Sequence, residues 1–460
     1  MSLPSVLRSG VCAAATAVAL IATPALSDPF ADLARGFDAQ LRAAGAERAP
    51  IAAGGVALIT GRGFTPGQSV TFRQGGTALN DGAAVEADDK GEISAEIAIP
   101  EGTAPGIYPV VAEVSGPDYA TTFEIKVSPV LAPSGDFATE SQPLEPGLYQ
   151  VAATDEAVYV TSAVGRPPVK QSALMKLDPE TLEIVAQTAP GAAPARADGS
   201  DGGVFAVYGI GVAEEAGQVW VTNTRQDTVA VYDADDLSLI KQFPSGTVSH
   251  SRDAVAHDGK VYVTATFEPF VHVFDTETLE ETGTIELRSS RRRAEFGTAS
   301  LQLDEESGTL YVVSLGTNEV AAIDLASGEQ TGVWPVDLSR GTIGVGHDAE
   351  TGRIFTAGQG SDNVMILDDE TGEVLHEVMV GANPLNIVFD PEADLAYVTL
   401  RGSGTLVAVT PDGEIAGNIE IGSFPNHLAL DGKGGVLVVN KSKGADDPTG
   451  DHITRVTPEG

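Results

Sequence analysis

From Leu385 to Ile421 the chain reads LNIVFDPEADLAYVTLRGSGTLVAVTPDGEIAGNIEI. It contains four short apolar runs, each closed by Gly, Pro or Asp: NIVF before DPEAD, LAYVTL before RGSG, TLVAVT before PDGE, and then IAGNIEI. Short β-branched or alternating runs with this punctuation predict strands rather than helices. One such four-stranded unit cannot bury its own apolar faces, so the pattern should recur. It recurs in IGVGHDAETGRIFTAGQGSDNVMILDDETGEVLHEVMV and ASLQLDEESGTLYVVSLGTNEVAAIDLASGEQTGVWPV, and in three earlier stretches beginning near Tyr149, Ile210 and Asp253. A last copy, HLALDGKGGVLVVNKSKGADDPTGDHITRVTPEG, stops one strand short. Seven copies at a spacing of roughly 40 to 45 residues match the period of four-stranded propeller blades.

The second run of most copies is similar to a known motif: VYVTSA at Val158, WVTNT at Trp220, VYVTAT at Val261, LYVVSLG at Leu310 and AYVTLRG at Ala396. These runs resemble the YVTN-type repeats of YncE-like secreted bacterial proteins, over about two thirds of the chain. The resemblance implies a seven-bladed β-propeller over residues 147–460. It implies no activity, because the motif is a structural strand and propellers host enzymes, scaffolds and binding modules alike.

The remainder divides into four segments. Residues 1–27 read as a signal peptide: Arg8 supplies the positive start, Val11 to Ala22 the apolar run, and Pro24-Ala25-Leu26-Ser27 the small residues before a cut ahead of Asp28. The run is too short to span a membrane, and no other segment is long and apolar enough to do so. The expected location is the periplasm. The single cysteine, Cys12, lies in the removed part, which leaves no disulfide and no thiol chemistry. Over residues 28–49, Phe30, Leu33, Phe37 and Leu41 recur at helical spacing, predicting a short helix. Residues 50–129 change to period-2 strands with Gly and Pro turns, as expected of a small β-sandwich. Within them, GRGFTPGQSVTF and PEGTAPGIYPVVAEV resemble bacterial Ig-like modules, which usually act as spacers or docking surfaces. Residues 130–146 form a Pro/Ser linker. Because the last repeat lacks its outer strand, and an open sheet edge leaves backbone groups unpaired, a segment within Val130 to Pro143 is expected to close the ring. The fold class is therefore all-β, a seven-bladed propeller preceded by an Ig-like sandwich.

Charge sharpens this picture. The chain carries 65 Asp and Glu against 27 Lys and Arg, a net charge of -38 at pH 7, which disfavours nucleic-acid partners. In a propeller the first–second and third–fourth strand turns share one face, and the remaining loops share the other. Sorted this way, the first set is acidic (DEESGT, DPEAD, DPETLE, DDETGE) and the second holds most of the basic residues. Arg166, Lys170, Arg225, Arg401, Lys441 and Lys443 fall in second–third loops. Arg252, Arg340 and the run Arg291-Arg292-Arg293 fall between repeats. Residues just before each inner strand should line the channel mouth: Tyr149, Tyr208, Arg252, Thr298, Thr342, Asn386 and His427.

The candidate site is thus Tyr149, Arg166, Tyr208, Arg225, Arg252, Arg293, Arg340, Asn386, Arg401 and His427. Guanidinium forks suit carboxylate or phosphate, so the expected partner is a small anionic ligand or an acidic segment of a protein. Pairing of these arginines with nearby Asp and Glu competes with that role. No nucleophile elbow, zinc-protease helix, dinucleotide fingerprint or P-loop is present. His250, His427 and His452 could share the basic face, but nothing in their spacing demands a metal. GADDPTGD lacks the regular ligand spacing of a calcium loop. No catalytic residue, metal or cofactor is assigned. A non-enzymatic exported binding protein is preferred to the alternative, a metal-dependent hydrolase or lactonase built on the same fold.

Overall fold

The computed structural model describes residues 38–116 and 118–459. The stretch read as a signal peptide lies outside them, as do Phe30, Leu33 and Phe37 of the expected helix. Leu41, the last of that helical set, stands in a strand instead. Gln40–Ala44 pairs antiparallel with Val56–Arg62, and Leu41 seats over Gly61, where a Cβ would come within 2.8 Å of its side chain. A short helix is marginal in water, whereas this strand covers an otherwise unpaired sheet edge.

Two antiparallel sheets build the N-terminal module. One holds Gln40–Ala44, Val56–Arg62 and Glu92–Ala98. The other holds Ser69–Gln74, Gly106–Ser115 and Tyr119–Val127, with the short strands Thr77–Ala78 and Val85–Glu86. Alternate residues point inward, as the pleat requires. Ile59, Ile93 and Ile97 of the first sheet meet Val70, Phe72, Val110 and Phe123 of the second, and the Phe72 and Phe123 rings stand edge to face at 5.7 Å.

From Leu148 onward the chain makes seven four-stranded antiparallel sheets. Their inner strands are Leu148–Ala153, Ile210–Ala213, Ser251–His257, Thr298–Asp304, Thr342–Asp348, Pro384–Asp390 and Pro425–Leu430. Each packs against the inner strand of the next sheet, and the last packs against the first. The arrangement is a β-propeller. The seventh sheet takes its outer strand from upstream, because Phe137–Pro143 pairs antiparallel with His452–Pro458. The second strands are buried on both faces between neighbouring sheets; Gln218–Asn223 is buried along its whole length. This explains why they read as continuous apolar runs. Trp220 shows the packing, with the Phe274 ring at 5.5 Å and the Phe243 ring at 5.8 Å.

The N-terminal module is clamped to this ring. The Lys126 ammonium and the Ser128 hydroxyl donate to the two oxygens of buried Asp362, each at 2.6 Å. Arg340 holds both oxygens of Glu124, at 2.7 and 2.8 Å. Among the described residues no helix is long and apolar enough to cross a membrane.

Candidate functional site

The repeated Val-Thr of the second strands builds the channel mouth. Inner strands slip register where they begin, for example between Leu148 and Val151, between Ser251 and Ala254, and between Pro384 and Ile387. A bulge leaves an N–H without its ladder partner. The threonine hydroxyl of the neighbouring strand accepts it: Gln150 N–H donates to Thr161, Asp253 N–H to Thr264 and Asn386 N–H to Thr399, each at 3.1 Å. Gly209 N–H donates to Thr222 at 2.8 Å. The Thr222 hydroxyl in turn donates to the Arg252 carbonyl at 2.9 Å, tying one sheet to the next. These threonines are fully buried. Their job is to fix the residue just ahead of each bond, Tyr149, Tyr208, Arg252 or Leu385, at the mouth.

A second register completes the wall. The first residue of the loop between second and third strands is Thr224, Thr266, Leu315, Gln359 and Arg401 in five successive sheets. All five line a cavity of about 340 Å³, together with Tyr149, Gln150, Tyr208, Arg225, His250, Arg252, Phe267, Asn386 and Asn426. No Asp or Glu lines it, in a chain of net charge -38.

The polar groups form a connected band. Gln150 spans three sheets, donating to Asp253 at 2.6 Å and accepting from the Ile210 N–H at 3.0 Å. Asn386 donates to the Asn426 carbonyl, and Asn426 donates to the Tyr149 carbonyl at 2.6 Å. Arg401 donates to the Asn426 side-chain oxygen and lies 4.9 Å above the Phe424 ring. It meets no carboxylate. Arg252 reaches the Ser300 hydroxyl at 3.3 Å, and its Nε comes no nearer than 3.7 Å to Asp253. That Nε is buried with no hydrogen-bond partner, and so is the Thr266 hydroxyl beside it. Arg225 makes no hydrogen bond or ion pair with any described residue and is exposed to the cavity.

Burial and mutual repulsion set the charges. Burial, then the nearby Tyr208, push the Tyr149 phenol up, against the pull of Arg225 and Arg401. The two rings stand edge to face at 4.2 Å. Lys441 occupies the seventh sheet's version of the Arg401 position, 3.5 Å over the Tyr149 ring. Burial, then Arg401, push its ammonium down to about 7, with Asp451 opposing. His250 is held below its ordinary value by burial and then by Arg225.

The structure gathers six of the ten expected residues: Tyr149, Tyr208, Arg225, Arg252, Asn386 and Arg401. Four stand elsewhere. Arg166 and Arg293 are exposed on loops outside the cavity lining. Arg340 is engaged by Glu124 of the N-terminal module. His427 accepts the Val151 N–H at 3.4 Å, away from the cavity lining, and burial pushes its pKa down to about 4. Sequence reasoning missed Thr224, Thr266, Phe267, Leu315 and Gln359. Aligning the loops on the last residue of each second strand would have found them. Among the described residues no three His, Cys, Asp or Glu side chains cluster as a metal site requires.

No family model and no curated protein matches this chain. Solved structures do. A catalytically inactive virginiamycin B lyase from Staphylococcus aureus with quinupristin is similar at TM-score 0.55 and 13% identity, over 70% of this chain and 100% of that one. Hydrazine synthase of Kuenenia stuttgartiensis is similar at TM-score 0.53 and 16% identity, over 64% and 93%. The WD40 repeats of RRP9 are similar at TM-score 0.54 and 10% identity, over 72% and 99%. At such identities the likeness is one of fold. The set includes both an enzyme and a repeat protein.

Proposed function

We propose that this chain is an exported, non-enzymatic binding protein whose channel mouth receives a small anionic ligand. In this reading the seven sheets are the blades of one seven-bladed ring. The N-terminal module is an Ig-like sandwich that positions it, and a cleavable signal delivers the whole to the periplasm. The observation that carries the reading is the cavity with three guanidinium groups and no carboxylate. Among the described residues Arg225 and Arg401 have no ion-pair partner, and the Arg252 Nε, buried in the same recess, makes no hydrogen bond. Low-dielectric walls focus such a field, and a cavity of about 340 Å³ lies at the small end of ligand sites, which span about 300–1,000 Å³. A free anion fits this volume better than a folded partner's surface.

Calorimetric titration with succinate, citrate and inorganic phosphate at low and high salt tests this. At least one should bind, more weakly as salt rises, and Arg401→Ala should weaken it about 30-fold, near 2 kcal/mol for a lost charge-assisted bond. Binding by none of the three, or unchanged affinity in that variant, overturns the proposal.

A further inference from the structure

The cavity has an apolar wall as well as a basic one, and that wall is made by a residue in a costly conformation. Five loops between second and third strands have the same length. In four of them the fourth residue adopts the left-handed region: Asp227 at φ 53°, Asn318 at 51°, Asp362 at 62° and Gly404 at 79°. In the third sheet that place is held by Pro269, whose ring forbids a positive φ. The left-handed turn is displaced two residues upstream, onto Phe267 at φ 72°. A bulky aromatic there is a true outlier. The other loops carry Arg225, Gly316, Gly360 and Gly402 at that second place.

The strain is not offset by burial. Phe267 is 66% exposed, yet it lines the cavity. Its ring lies 5.5 Å from the His250 imidazole, and His250 lies between Arg225 and Arg252 in the same wall. An exposed, strained aromatic at a site usually marks function, because nothing in folding rewards it. Resting on the anion-binding reading, we infer that the ligand is an anion carrying an aromatic ring: its acidic groups meet Arg225, Arg252 and Arg401, and its ring packs against Phe267 and His250. The quadrupole of an aromatic face favours an edge or offset contact with a second ring, beyond simple area burial.

The test compares succinate with phenylsuccinate, two dianions that differ by one ring, on the wild-type protein and on Phe267→Gly and Phe267→Trp. Phenylsuccinate should bind about tenfold tighter than succinate. Phe267→Gly should erase that advantage, and Phe267→Trp should keep it. Gly relieves the positive φ, so the melting temperature of Phe267→Gly should hold or rise; a packing role for Phe267 would lower it. Equal binding of the two dianions, or an advantage that survives Phe267→Gly, overturns the aromatic assignment and leaves the anion site standing. Binding of neither dianion, nor of citrate or phosphate, removes the anion site and this inference together.

Discussion

The two faces of the ring carry opposite charges, and the charges are used differently. On the acidic face, a cavity of about 750 Å³ is lined by Glu214, Glu215, Asp258, Glu277 and Glu305 around His257 and Lys260. It is larger than the one at the channel mouth. Yet many carboxylates of that face are already occupied by their own backbone. Asp275 accepts N–H bonds from Glu277 and Thr278, and Asp178 and Asp368 cap their turns in the same way. Those bonds hold Asp178 and Asp275 below the usual carboxylate range, and at Asp368 the Thr371 hydroxyl leads, followed by its N–H. At the mouth, by contrast, among the described residues Arg225 has no hydrogen-bond or ion-pair partner and Arg401 has only an amide and a ring. Neither the number of charges nor the size of a cavity distinguishes a site. What distinguishes this one is three guanidinium groups gathered in a recess that no described carboxylate lines.

The strongest expected perturbation lies on the mouth side, where a carboxylate is fully engaged. Asp362 is 1% exposed and receives Lys126, Ser128 and the Asn383 N–H. Asp362→Ala should cost about 3 kcal/mol, because a buried pair broken from one side leaves the other charge uncompensated. Urea denaturation reads that loss, and an unchanged midpoint would mean that the module is not pinned there.

Next comes a pH effect confined to the mouth. Lys441 titrates near 7 in the folded chain, so it is charged below that pH and neutral above it. Arg401, Asp451 and the Tyr149 ring face it. Anion affinity should therefore fall on raising the pH from 6 to 8, by about tenfold for one charge at close range. Lys441→Met should flatten the profile. For stability the sign differs. A lysine with a depressed folded value penalises folding fully below about 7, and the penalty is relieved as pH rises toward the unfolded value.

The smallest effect belongs to the acidic face. Asp275→Ala should leave anion affinity within about twofold, since exposed charges beyond a Debye length are screened. A large change there would collapse the contrast between the two faces.

Much of the ring was legible because strand punctuation repeats. The copy that lacked an outer strand advertised an edge that something had to cover, and Phe137–Pro143 lies on it. The mouth residues Tyr149, Tyr208, Arg252 and Asn386 were legible from their place before each inner strand. Arg340 meets Glu124 of the N-terminal module rather than the cavity, and no pattern in the sequence says where a second module will dock. The helical spacing of Phe30 to Leu41 misled at Leu41, because a period read in isolation does not know that a sheet edge is near.

The amino-acid order alone dictated short strands, their turns and the separation of charge between loop sets, since each depends on neighbours within a few residues. Only the closed tertiary arrangement decided which arginines lack a counter-ion and that Phe267 faces the same cavity as they do. Pairing depends on side chains from different sheets, tens to hundreds of residues apart, meeting within a few ångströms.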